Sequence, residues 1–155
     1  MFNLKLLFNC LYIFSFIFFF IENTNAQEKE VFLSLKKNIV YVRQGPSLDH
    51  PIKFVYKKKY LPVMIIDTSE NFKKIKDFNN NVGWIHIYLL SKKKSAINKN
   101  KNNIMYRKPT IFSNPVAKLG MGRLVLVKKC KLNWCKIKSG KYTGWVKKIS
   151  LWGRI

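Results

Sequence analysis

The chain is 155 residues long and carries 30 Lys and Arg against 7 Asp and Glu, a net charge of +23. Of the basic residues 26 are Lys and 4 are Arg; bidentate reading of bases and phosphates favours Arg, so specific nucleic-acid recognition is not expected. Seven acids, two histidines and no Gly-rich phosphate loop leave little material for a carboxylate pair, a Cys-His dyad or nucleotide chemistry, which argues against an enzyme.

The first residues form a unit of their own. Met1 to Lys5 carries one positive charge, Leu6 to Ile21 is uncharged and apolar, and Glu22 to Ala26 is polar and ends on a small residue. That is the order of a secretory signal peptide, expected over residues 1–26 with cleavage near Ala26. The uncharged run falls short of the ~20 residues a helix needs to span a bilayer. The protein is therefore expected to be exported, to a periplasmic or extracellular location. Cleavage removes Lys5 and Glu22 together, so the charge is kept, and it favours contact with anionic envelope components.

Beyond residue 30 the pattern is one of short alternating runs separated by turn residues: Asn38 to Val42, Leu61 to Ile66, Phe72 to Ile75 and Gly83 to Ile87. Such spacing predicts an all-β barrel or sandwich. The runs then repeat in order. Arg43 at the end of the first run is echoed by Arg107, Phe72-Lys-Lys-Ile75 by Trp134-Cys-Lys-Ile137, and Gly83-Trp84 by Gly144-Trp145. Leu89-Leu90 and Leu151-Trp152 close the two copies. Two small β-modules are predicted, over 31–91 and 103–153, joined by a Lys/Asn-rich linker at 92–102. Cys130 and Cys135 flank an expected hairpin turn in the second copy. Paired cysteines in an exported chain predict a disulfide. With both histidines in the first copy, no metal set is expected.

Val40-Tyr-Val-Arg-Gln-Gly-Pro-Ser47 resembles the opening motif of bacterial SH3-like domains, an alternating strand running into Arg and a Gly-Pro-Ser turn. Pro51 to Val63, Phe72 to Ile75, Gly83-Trp84-Ile85, Trp134-Cys135 and Leu151-Trp152-Gly153 fit the tandem, exported variety of that family. The second copy departs from the motif, with Lys108-Pro109-Thr110 in place of Gly-Pro-Ser. The resemblance implies a five-stranded, half-open β-barrel for each copy, and a binding role without catalysis or cofactors.

Alternation puts Val40 and Val42 on the inner face and Tyr41 and Arg43 on the outer. His86 is outward if Ile85 and Ile87 point in. The candidate ligand-binding residues are Tyr41, Arg43, Tyr56, Trp84, His86 and Tyr88, because grooves in related modules are lined with aromatic side chains. Trp84 and Trp145 are expected first of all to build the fold, each following a Gly that permits positive φ or close backbone approach. The expected partner is a cell-wall peptide or an envelope protein. The alternative is electrostatic binding of anionic envelope surfaces, either lipid headgroups or acidic polymers.

Overall fold

The computed structural model describes residues 30–155; the expected signal peptide lies outside them. The first domain contains β1 (Val31–Leu35), β2 (Val40–Arg43), β3 (Ile52–Tyr56), β4 (Pro62–Ser69), β5 (Phe72–Lys76), β6 (Val82–His86), a 3-10 turn (Ile87–Leu89) and β7 (Leu90–Ser91). The second contains β8 (Ser95–Asn98), β9 (Asn103–Tyr106), β10 (Pro115–Leu119), β11 (Leu124–Lys131), β12 (Trp134–Ser139), β13 (Tyr142–Lys147), a 3-10 turn (Lys148–Ser150) and β14 (Leu151–Gly153). The strand orders are β3-β2-β6-β5-β4-β1-β7 and β10-β9-β13-β12-β11-β8-β14, one the strand-for-strand copy of the other. Neighbouring strands pair antiparallel.

Each domain has seven strands where five were expected. The additional strands include β1, at the start of the first expected module, and β8, within the segment read as a linker. β1 pairs with β4 on one side and β7 on the other. β8 does the same with β11 and β14, and all four of its residues are buried. The 92–102 segment is thus not a linker throughout, because its centre is an inner strand of the second sheet. Asn98 is tolerable there because its side chain is hydrogen-bonded, whereas the buried Ser95 Oγ has no partner among the described residues. Asn98 Nδ2 donates to the carbonyls of Asn100 (2.8 Å) and Gly120 (2.8 Å), and its Oδ1 accepts from Asn103 Nδ2 (2.8 Å).

The alternation of β2 holds: Val40 and Val42 are fully buried and Tyr41 is exposed. They join Leu35, Val63, Ile75, Ile85 and Leu90 in the first core. The second core is built on Met105, Val125, Ile137, Val146 and Leu151. Pairing corrects two details of the repeat. Trp84 lies opposite Arg43, and Trp145 opposite Tyr106, so the counterpart of Arg43 is Tyr106 and not Arg107. Ile87 is exposed, because the strand ends at His86 and the chain turns into 3-10 geometry before Ile87 can follow the alternation.

The Gly before each Trp serves close approach. Neither Gly83 nor Gly144 has positive φ. A Cβ on Gly83 would run into Val42 Cγ1, and one on Gly144 would lie 2.5 Å from Met105 Cγ and 2.7 Å from the Tyr106 carbonyl. Each glycine lets β6 or β13 lie flush on the neighbouring strand, above a buried core residue. Overpacking of this kind costs ~1–3 kcal/mol. Gly83→Ala and Gly144→Ala are each expected to lower stability by about that much in urea unfolding, with no change in domain composition.

Cys130 and Cys135 are directly opposed across β11 and β12 and form the expected disulfide, S–S 2.02 Å. At the equivalent pair in the first domain Lys73 Nζ donates to Thr68 Oγ1 at 3.0 Å.

The two domains touch through the last strand. Trp152 meets Phe32 of β1 edge-on (5.0 Å between centroids) and Phe78 of the β5–β6 turn at 5.7 Å. Arg154 Nη1 donates to the Phe32 carbonyl at 3.1 Å. Gly153 has φ +139, and a Cβ there would lie 2.6 Å from the Ser95 carbonyl and 2.9 Å from Pro62 Cβ of the first domain. Only glycine fits both the backbone conformation and the space.

Candidate functional site

The outer face of the first sheet gathers most of the expected site residues. Tyr41 and Arg43 lie two apart on β2, so they share a face. Arg43 is opposite Trp84, Trp84 is opposite Lys74 on β5, and Phe72 is opposite His86. Lys74 Nζ sits 5.8 Å from the Trp84 ring centroid, a cation–π contact. Phe72 meets the His86 ring edge-on at 5.0 Å, and His86 stacks on Tyr88 at 5.1 Å with 25° between the planes. His86 Nδ1 also accepts from the Tyr88 backbone N–H (3.3 Å), which caps the 3-10 turn and fixes the stack. Arg43 is steadied by one hydrogen bond, Nη1 to the His50 carbonyl at 2.7 Å, which leaves other guanidinium N–H groups free to turn outward. Tyr88 is 77% exposed and Tyr41 49%.

The structure therefore brings Tyr41, Arg43, Trp84, His86 and Tyr88 onto one face. It adds Lys74 and Phe72, which sequence reasoning did not single out for the site. Their signal was present: once Ile75 is inward, alternation turns Lys74 outward.

Tyr56 does not belong to this face. It pairs with the buried Val40 and packs against the core, with Phe54 edge-on to it at 5.2 Å. Its hydroxyl donates to Asp77 Oδ2 at 2.9 Å. Burial first, then the charge of Asp77 and the hydrogen bond to it, hold the phenol well above the usual tyrosine range, so it remains a donor. Asp77 is itself buried and accepts from the backbone N–H groups of Asn79 (2.9 Å) and Asn81 (2.8 Å) and from Asn81 Nδ2 (2.9 Å). This carboxylate shapes the turn that presents Phe78 to Trp152. Tyr56 is part of that support.

The second domain carries a closed version of the face. Trp145 lies between Lys136 on β12 and Tyr106 on β9, and the Tyr106 and Trp134 rings meet edge-on at 5.8 Å. Trp145 is left 8% exposed. Lys147 stands where the first domain has His86, and its side chain makes no cap hydrogen bond. Ile149 replaces Tyr88. The flat His-Tyr stack is thus a feature of the first domain.

Two repeated sheets of one strand order, each with a Gly-Trp strand start packed on an alternating strand, are matched by one family profile. The profile described as "Bacterial SH3 domain" aligns with residues 36–92 and again with 99–153. The chain belongs to the bacterial SH3 domain family. Its members are binding modules, and this protein has two in tandem, both borne on the sheets described above. No curated protein matches the chain. Among solved structures, NlpC2 from Trichomonas vaginalis is similar at 13% identity over 82% of this chain and 49% of its own, with a TM-score of 0.37. NlpC1 from the same organism gives 14%, 83%, 47% and 0.37. An NlpC/P60 family protein from Bacillus cereus gives 8%, 79%, 56% and 0.35. The chain spans about half the length of these structures.

Proposed function

We propose that the protein is an exported, non-catalytic binder that holds a peptide, of the cell wall or of an envelope protein, against the outer face of its first SH3 domain. The observation that carries this reading is the convergence of Arg43, Trp84, His86 and Tyr88 on one accessible face that the second domain closes with its own rings. The stacked His86 and Tyr88 rings offer a flat apolar platform, already ordered by the 3-10 cap, so little side-chain entropy is lost on binding. The spare N–H groups of Arg43 suit a carboxylate or a backbone carbonyl. Lys74 over Trp84 is a movable cover that a ligand can displace at small cost, since an exposed cation–π contact contributes only ~0.5–1 kcal/mol.

Titration with purified peptidoglycan fragments and with envelope extract, followed by tryptophan fluorescence, tests this. Trp84→Ala and Tyr88→Ala are each expected to weaken binding about tenfold or more, in the range of interface aromatic anchors. Binding should largely persist from low to moderate salt, because contact rather than charge carries it. Full affinity in both variants would overturn the reading.

A further inference from the structure

The two domains share a fold and differ sharply in charge. Residues 31–91 hold 10 Lys and Arg with 4 Asp and Glu, whereas residues 92–155 hold 15 Lys and 3 Arg with no acidic residue at all. The contrast is sharpest at one structural position, the tip of the hairpin joining the fourth and fifth strands of each domain. In the first domain the tip carries Asp67 and Glu70. In the second, Glu70 is replaced by Leu132, which is 94% exposed.

Leu132 contributes little to folding. It adopts φ +49 in a two-residue turn, a conformation that favours Gly or Asn, and it buries almost none of its apolar surface. A second bare aliphatic lies at the same end of the domain. Lys148 N–H donates to the Asn133 carbonyl at 2.7 Å, which ties the 3-10 turn to the hairpin tip, and Ile149 of that turn is 79% exposed. Lys128, Lys129 and Lys131 lie on the strand that leads into Leu132, and Lys147 and Lys148 directly precede Ile149, all of them exposed. The Cys130–Cys135 disulfide clamps the two strands directly behind the tip.

We infer that this end of the second domain docks on an anionic lipid surface, with Leu132 and Ile149 entering the headgroup–acyl boundary and these lysines holding the headgroups. Charge complementarity favours an anionic partner, since each lysine near such a surface adds to the attraction. The protruding aliphatics select a bilayer over a soluble polyanion. A polyanion rewards charge and gives Leu132 nothing, whereas partial burial of an aliphatic side chain in a bilayer is favourable. This inference uses a different domain from the peptide face and does not rest on it.

The test is sedimentation of the oxidised protein with vesicles of phosphatidylcholine, with or without phosphatidylglycerol. Binding is expected only with phosphatidylglycerol and should fall steeply with salt. Leu132→Ser and Ile149→Ser should each weaken it several-fold and the double variant by ~10-fold or more, as expected from the apolar surface withdrawn. Both positions are solvent-exposed, so folding is checked by unchanged thermal unfolding. Leu48→Ser, which removes an exposed leucine of the first domain, should leave vesicle binding intact. Full vesicle affinity in the double variant would overturn the inference. So would equal loss in Leu48→Ser, or tight binding to soluble polyphosphate that the double variant keeps while vesicle binding is absent.

Discussion

Asn98→Ala is expected to unfold the second domain while leaving the first largely intact. Asn98 is fully buried on β8 and is the hub of a polar network. Its Nδ2 serves the carbonyls of Asn100 and Gly120, with that of Leu119 at 3.3 Å, and its Oδ1 accepts from Asn103 Nδ2. Asn103 Nδ2 also reaches Ser150 Oγ (2.7 Å), which donates onward to the Lys147 carbonyl (2.6 Å). Removing the hub strands several buried groups at once, each costing ~1–3 kcal/mol. A total loss of ~3–5 kcal/mol is a large share of what a domain of this size possesses. Urea unfolding should show an early transition for the second domain, reported by the disulfide-proximal Trp134. Asn98→Leu should not rescue it, although leucine is what the first domain carries at this place. There Leu35, Val40 and Leu89 occupy the positions of Asn98, Asn103 and Ser150, as the shared pairing of Leu35 with Leu90 and Asn98 with Leu151 shows. Replacing all three with their first-domain counterparts should recover part of the loss, because an apolar set leaves no side-chain amide unpaired. Parent-like stability of Asn98→Ala would refute the network's role.

The same three positions show why some of the fold could be read in the sequence and some could not. Alternation in Val40-Tyr41-Val42 sets faces correctly because β2 is half-buried and its inner residues are apolar. Asn103-Ile104-Met105 has the same burial pattern, buried–exposed–buried, with Asn at an inner place and Ile at an outer one. A hydropathy pattern misreads it, and the one-residue slip that aligned Arg43 with Arg107 follows. β8 is hidden for the same reason: Ser95-Ala-Ile-Asn98 sits among lysines and looks solvated, yet every one of its residues is inside. Its burial depends on hydrogen-bond partners more than twenty and fifty residues away, which no local pattern contains. The site divides similarly. The outward placement of Tyr41, Arg43, Trp84 and His86 follows from period two, whereas the inward turn of Tyr56 is set by its pairing with Val40 and by Asp77, a tertiary partner. The Cys130–Cys135 pair was legible because a hairpin brings together residues close in sequence.

Trp152→Ser is expected to release the two domains from one another without unfolding either. Serine is the residue that the first domain bears at this place: Ser91 Oγ lies 3.0 Å from Ser34 Oγ, and nothing larger is needed to pair that strand. In the second domain Trp152 pairs with Ile97 of β8 while its ring leaves its own domain for Phe32 and Phe78. The indole thus bridges the domains at small cost to its own sheet, and truncation removes aromatic area shared across the junction, worth ~2–4 kcal/mol for an anchor of this kind. What remains there is the Arg154 hydrogen bond to the Phe32 carbonyl, made by a partly buried side chain, and the close approach of Gly153 to Pro62. Net contributions of such bonds are ~1 kcal/mol, too little to hold two cationic domains together against their mutual repulsion. Small-angle scattering should show a larger radius of gyration and a more extended profile. Thermal unfolding should separate into two transitions. Because Phe78 rides on the Asp77 turn, and Asp77 is bonded to Tyr56, Tyr56→Phe should move the junction in the same direction by a smaller amount. A parent-like scattering profile for Trp152→Ser would show that the domains are held by something other than this ring. The junction matters for binding too: it sets the angle between the peptide face of the first domain and the lysine-rich tip of the second, so loosening it should reduce any gain from engaging both at once, while each separate affinity stays unchanged.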